Sequence, residues 1–200
     1  MKDYNPEEKR NPGELIVFVF YPLPKVIKTG NYSQKPLSIE TDIGLKEIIG
    51  MGRQDNEHEN LLSQIREDLK IPQGLEVKIF IGPYTNISGE GRLVDSNHPF
   101  GFILLLDEGF YQDLTPEEKI ALISHELGHL TNEAVFLTHD PDTAIRFQIE
   151  ADTYATKYAK PEAMMSVLNK ANTNHGGLPS RQHYLRIKNL QKIKELKQGH

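Results

Sequence analysis

The stretch Thr115-Pro116-Glu117-Glu118-Lys119-Ile120-Ala121-Leu122-Ile123-Ser124-His125-Glu126-Leu127-Gly128-His129-Leu130 carries both a helix start and a chemical motif. Its opening places a threonine at an N-cap, a proline at the first helical position and a glutamate three residues after the cap. Ile120, Leu122, Ile123, Leu127 and Leu130 supply an apolar lining, which predicts a packed helix running to about Leu130. His125 and His129 lie four residues apart inside it, so both imidazoles leave one helical face and can reach one metal ion. Glu126 then stands where it can take a proton from a water on that ion, acting as general base. Zinc lowers the pKa of such a water to about 7, which makes the pair competent near neutral pH. With this histidine and glutamate content, an HExxH match is expected by chance in only about 0.03 chains of this length.

Outward from this helix, the chain divides into two parts. Residues 113–200 read as almost continuous helix. Asp140-Pro141 repeats the cap-and-proline start and predicts a helix to about Ala159. Pro161 to Asn172 predicts a third helix, and Ser180 to Leu196 a fourth after the Gly176-Gly177-Leu178-Pro179 break. Residues 1–112 are mixed. Glu14 to Tyr21, Glu76 to Ile81 and Phe100 to Asp107 read as strands, the last buried on both faces. Asp55 to Lys70 places Leu61, Leu62, Ile65 and Leu69 at helical spacing before Pro72. The expected architecture is a single α+β domain over residues 1–200, a small N-terminal sheet packed on a helical C-terminal half.

Composition narrows the chemistry. At 200 residues and 22.8 kDa, with 38% hydrophobic and 26% charged residues, the chain has the balance of a folded globular protein. Lys+Arg of 23 against Asp+Glu of 28 gives a net charge of −5, which argues against nucleic-acid or anionic-membrane binding. Cysteine is absent, so no disulfide, thiolate nucleophile or Cys-based zinc site is available, whereas histidine occurs 8 times. A transition metal would therefore be held by histidine and carboxylate groups. No apolar run reaches the ~18–20 residues of a membrane span, and the N-terminus lacks the apolar core of a signal peptide. The expected location is the cytoplasm.

A catalytic zinc takes three protein ligands and keeps a fourth position open. His139 and Asp142 follow the motif closely enough to be considered for the third, whereas a histidine six residues beyond it is ruled out by Val135. The second helix, Phe147-Gln148-Ile149-Glu150-Ala151-Asp152-Thr153-Tyr154-Ala155, offers more. Ala144, Gln148, Ala151, Asp152, Ala155 and Ala159 form one face of small residues suited to close approach. Glu150 points about 200° away from Gln148, towards Arg146 and Thr153. Geometry favours Gln148 and ligand chemistry favours Glu150, because a carboxylate binds zinc more strongly than a carboxamide.

The strand from Leu104, the helix start at Thr115, the HELGH motif, the Glu150–Ala155 stretch EADTYA and Arg186-Ile187 with Leu190 together resemble the gluzincin metallopeptidases of the HtpX and prenyl-protein protease group. The likeness spans roughly residues 75–190. The sequence is also similar to the ImmA/IrrE-like regulatory metallopeptidases, which share HELGH and a comparable second motif. Either resemblance implies a zincin-like domain holding one zinc ion per chain, with a peptide or protein substrate. In the pattern E-x-x-A-D the resemblance places the third ligand at Gln148, where this chain departs from glutamate, and makes Asp152 the residue that orients a ligand histidine. The C-terminal region holds transition-state stabilisers in relatives, which brings His175 and His183 into consideration, although Leu178-Pro179 replaces the family's His-Pro. His58, His98 and His200 read as solvated, and Tyr154 and Tyr158 as packing residues.

The expectation is a zinc-dependent endopeptidase with Glu126 as general base, in which residues 76–81 or 85–94 supply a sheet edge for the substrate. The rival, motivated by Gln148, is a weakly active or inactive metal-binding regulator or adaptor on the same fold.

Overall fold

Backbone pairing puts the apolar run that ends in Asp107 at the middle of the sheet. The computed structural model describes residues 16–19, 38–39, 51–71, 76–83, 91–92, 101–131, 140–174 and 180–199. Strands β1 (Ile16–Val19), β3 (Arg53–Gln54), β4 (Glu76–Gly82) and β6 (Gly101–Asp107) form one sheet in the order β1-β6-β4-β3. β6 runs antiparallel to β1 and parallel to β4, and β4 runs antiparallel to β3. A separate two-stranded pair joins β2 (Ser38–Ile39) to β5 (Gly91–Arg92).

This pairing corrects one expectation. Residues 76–81 are not a free edge throughout: β4 is bonded to β6 along its length, and Phe80 and Ile81 pair with β3 on the other side. Both faces carry buried apolar side chains, Ile79 and Ile81 on one and Phe80 on the other. Gly91 and Arg92 are engaged with β2. The rest of the 85–94 segment lies outside the described residues.

The helices are α1 (Glu59–Asp68), α2 (Glu108–Gln112), α3 (Pro116–Gly128), α4 (Pro141–Ala155), α5 (Pro161–Asn174) and α6 (Ser180–Gln198). α1 starts four residues later than its apolar spacing suggested. Asp55 folds the preceding residues into a turn, accepting from the Glu57 backbone N–H at 3.2 Å and contacting His58 Nδ1 at 2.7 Å. His58 is thus not a solvated surface residue: its side chain is 11% exposed, and Tyr111 Oη lies 3.4 Å from the same nitrogen. α4 ends at Ala155 rather than Ala159. The Thr156 hydroxyl bonds back to the Thr153 carbonyl at 2.8 Å, and the next amide reaches Tyr154 three residues back, tightening the chain out of α-helical register.

The core is continuous from sheet to helices. Ile65 of α1, Ile79 of β4, Leu104 and Leu106 of β6, Ile123 of α3 and Leu190 of α6 are all essentially inaccessible. β6 therefore turns Leu104 and Leu106 into the core, while the side chains of Ile103 and Leu105 fall outside the description. The arrangement is α+β, with the sheet contributed by the first half and the helical layer by the second. Among the described residues, no helix is long and apolar enough to cross a membrane.

Candidate metal centre

α3 is fixed at both ends by side chains that the sequence places there. Thr115 Oγ1 accepts from the Glu118 amide at 3.3 Å, and Glu118 Oε2 accepts from the Thr115 amide at 2.6 Å, a complete capping box. Burial opposes ionisation of Glu118. Lys170 at 2.7 Å, Ser166 and both Thr115 donors outweigh it and hold the carboxyl at about 2. At the other end the helix tightens into a 3-10 turn, His129–Thr131, and the Thr131 hydroxyl caps the Gly128 carbonyl at 2.7 Å. The helix that the sequence extends to Leu130 is thus α-helical to Gly128 only.

This helix brings His125, Glu126 and His129 together in the interior, with relative exposures of 3, 6 and 4%. Their ligand atoms lie within 4.8 Å of one another, an arrangement that could hold a metal ion. The two imidazole rings meet nearly edge to face, with centroids 4.8 Å apart. Nε2 of His125 faces Oε1 of Glu126 at 3.7 Å. Burial lowers the pKa of both histidines, and at His129 the neighbouring His125 and Arg186 reinforce it, taking the ring to about 2. Both rings are consequently neutral at pH 7, the form that has a lone pair to offer a cation. Burial pushes the Glu126 carboxyl well above the usual carboxylate range, against the pull of Arg186.

α4 lies directly against α3 because Gly128 carries no side chain. A Cβ at Gly128 would sit 3.0 Å from Cδ1 of Tyr154 and 3.3 Å from Cα of Ala151. The close approach delivers Asp152, wholly buried, behind the first histidine, with Oδ1 2.8 Å from Nδ1 of His125. Nδ1 of His125, Nδ1 of His129 and Oγ of Ser124 are buried polar atoms without a hydrogen-bond partner among the described residues.

Gln148 is half-buried on the same α4 face as Asp152. Glu150 is turned to solvent, 44% exposed, with Oε1 3.8 Å from Arg146 Nε, and is not part of the cluster. Asp142 is also exposed and pairs with Arg181 at 2.6 Å. His183 sits at the surface with Nε2 3.0 Å from Oδ1 of Asn169, apart from the cluster. His139 and His175 lie outside the described residues. Tyr154 and Tyr158 are packing residues whose hydroxyls, 3.3 Å apart, adjoin Asp68 of α1.

One member of the site has no role in the sequence reading beyond its part in a family likeness. Arg186 of α6 is 4% exposed and grips Asp152 with two bonds, Nε to Oδ2 at 2.8 Å and Nη2 to Oδ1 at 2.7 Å. Burial alone would raise Asp152, but the charge and hydrogen bonds of Arg186, followed by His125, hold it at about 2. A signal for Arg186 does exist: it occupies the helix stripe that also carries Leu190, where a charged residue needs a buried partner.

The donor set suits a divalent transition ion. Two neutral imidazoles stand beside the Glu126 carboxylate, and each ring carries a buried Nδ1 without a hydrogen-bond partner among the described residues. Compared with protein-family models, with curated proteins and with solved structures, the chain returns no match.

Proposed function

We propose that this protein is a zinc-dependent endopeptidase of gluzincin type, with His125, His129 and Gln148 as the protein ligands and Glu126 as general base. The observation that carries this reading is the buried His125–Glu126–His129 cluster on one capped helix, backed by Asp152. When bound, zinc polarises the scissile carbonyl and brings the pKa of a coordinated water near 7. Glu126 takes the proton of the attacking water and passes it to the leaving amine, its carboxyl held by burial above the usual carboxylate range. Asp152 stands 2.8 Å behind Nδ1 of His125, the side from which a carboxylate orients a ligand ring, while Nε2 faces Glu126. The Gly128–Tyr154 contact keeps α3 and α4 close enough for that support.

A second reading has its own observation. Gln148 stands where a carboxylate would bind zinc more tightly, and Glu150 faces away. This favours a metal-binding regulator or adaptor with little or no peptidase activity. Cleavage of a fluorogenic peptide library by the wild type, before and after chelation and zinc return, separates the two. The enzyme reading expects cleavage that vanishes with chelator and returns with zinc. The regulator reading expects no wild-type cleavage, with activity appearing in Gln148→Glu.

A further inference from the structure

The guanidinium of Arg186 does more than neutralise Asp152. Its Nη2, while bonded to Oδ1 of Asp152 at 2.7 Å, also lies within hydrogen-bonding distance of Nε2 of His125 at 3.3 Å. That nitrogen is the one that faces Glu126. Arginine carries only donors and stays protonated, so in this contact Nε2 is the acceptor. A ring that accepts at Nε2 has its proton on Nδ1, the nitrogen 2.8 Å from Asp152. This tautomer is also the one a metal-ligating imidazole with a carboxylate behind it requires. Nε2 has a single lone pair, which can serve Nη2 or a metal ion but not both.

Charge points the same way. Asp152 is an anion with no exposure, and a buried carboxylate needs a cation beside it. Arg186 fills that need from within the chain, so the site stays assembled without an ion. A divalent cation arriving at His125 meets a fixed positive charge in a water-poor interior, where like charges repel strongly.

We propose that Arg186 is the metal's internal competitor: its Nη2 engages the His125 lone pair and must withdraw from it for a metal to bind. This rests on the reading of the cluster as a metal centre. Arg186 is thus a positioning residue that presets the His125 tautomer, keeps Asp152 compensated and lowers metal affinity.

The test measures zinc affinity of the full-length protein by competition with a chromophoric chelator, together with the zinc-induced shift in Tm. Arg186→Met frees Nε2 and removes the positive charge that repels a cation, so zinc is expected to bind at least about tenfold more tightly than to the wild type, with a larger rise in Tm. Arg186→Lys keeps a cation for Asp152 but lacks the fork that reaches Nε2, and its affinity is expected between the two. If Arg186→Met is unfolded alone, refolding on zinc titration supports the proposal. If it stays unfolded with zinc, the lysine variant decides. Zinc affinity in the folded variants equal to or below that of the wild type overturns the proposal. Should the wild type bind no zinc, or His129→Ala bind it as tightly as the wild type, the metal reading fails and the proposal falls with it. Zinc binding that His129→Ala weakens and the Arg186 variants leave unchanged refutes the role of Arg186 alone.

Discussion

Asp152→Asn is expected to destabilise the metal-free protein by about 3–5 kcal/mol, since it leaves the Arg186 guanidinium buried without its counter-charge. In a chain of this size that corresponds to a fall in Tm on the order of 10 °C. The pair is an interior one, with both residues almost or wholly inaccessible and two bonds between them, so screening by solvent offers no relief. Removing both charges together should cost much less: Asp152→Leu with Arg186→Met replaces the pair by apolar groups of similar bulk, and the double variant is expected to recover most of the lost stability. The effect has a pH signature. Asp152 has a folded-state pKa of about 2, below its ordinary 3.8. A depressed carboxyl contributes its stability in full above the ordinary value and loses it as pH falls towards 2. The gap between wild type and Asp152→Asn should therefore be constant from neutral pH to about 5 and narrow below about 4. Thermal unfolding across pH measures it, and a gap unchanged down to pH ~2 would contradict the pairing.

Glu126→Gln carries the second large effect, on catalysis. A general base accounts for roughly 10²–10⁴ of rate, so peptide cleavage should fall by at least that lower bound. Stability should move the other way or stay level. The carboxyl is buried and its pKa is raised by that burial, so a neutral carboxamide of the same shape removes a desolvation cost. Zinc binding should persist, because the imidazoles are untouched. A variant that keeps wild-type turnover would remove Glu126 from the reaction. One that loses activity only because it no longer folds would contradict the burial argument.

Much of this site was legible in local sequence because local rules build it. Thr115, Pro116 and Glu118 start α3, Asp140 and Pro141 start α4, and the i, i+4 spacing aligns His125 with His129 without reference to the rest of the fold. The Gln148–Glu150 question is a matter of helical phase: α4 turns Glu150 to solvent and leaves Gln148 half-buried on the face that carries Asp152. What escaped was long-range. The Arg186–Asp152 pair joins residues 34 apart across two helices, and the His58–Asp55–Tyr111 cluster joins a turn to a helix 53 residues later. Sequence spacing carries no information about such partners. The interior position of β4 escaped for the same reason, since parallel pairing with β6 is set by topology rather than by its own alternation.

The central claim is that His125 and His129 hold one metal ion. Elemental analysis of zinc-loaded, extensively dialysed protein tests it directly, with His129→Ala treated alongside. The account predicts one zinc per wild-type chain and a large loss of zinc from the folded variant. Wild type without zinc, or a variant that retains it in full, would contradict the account.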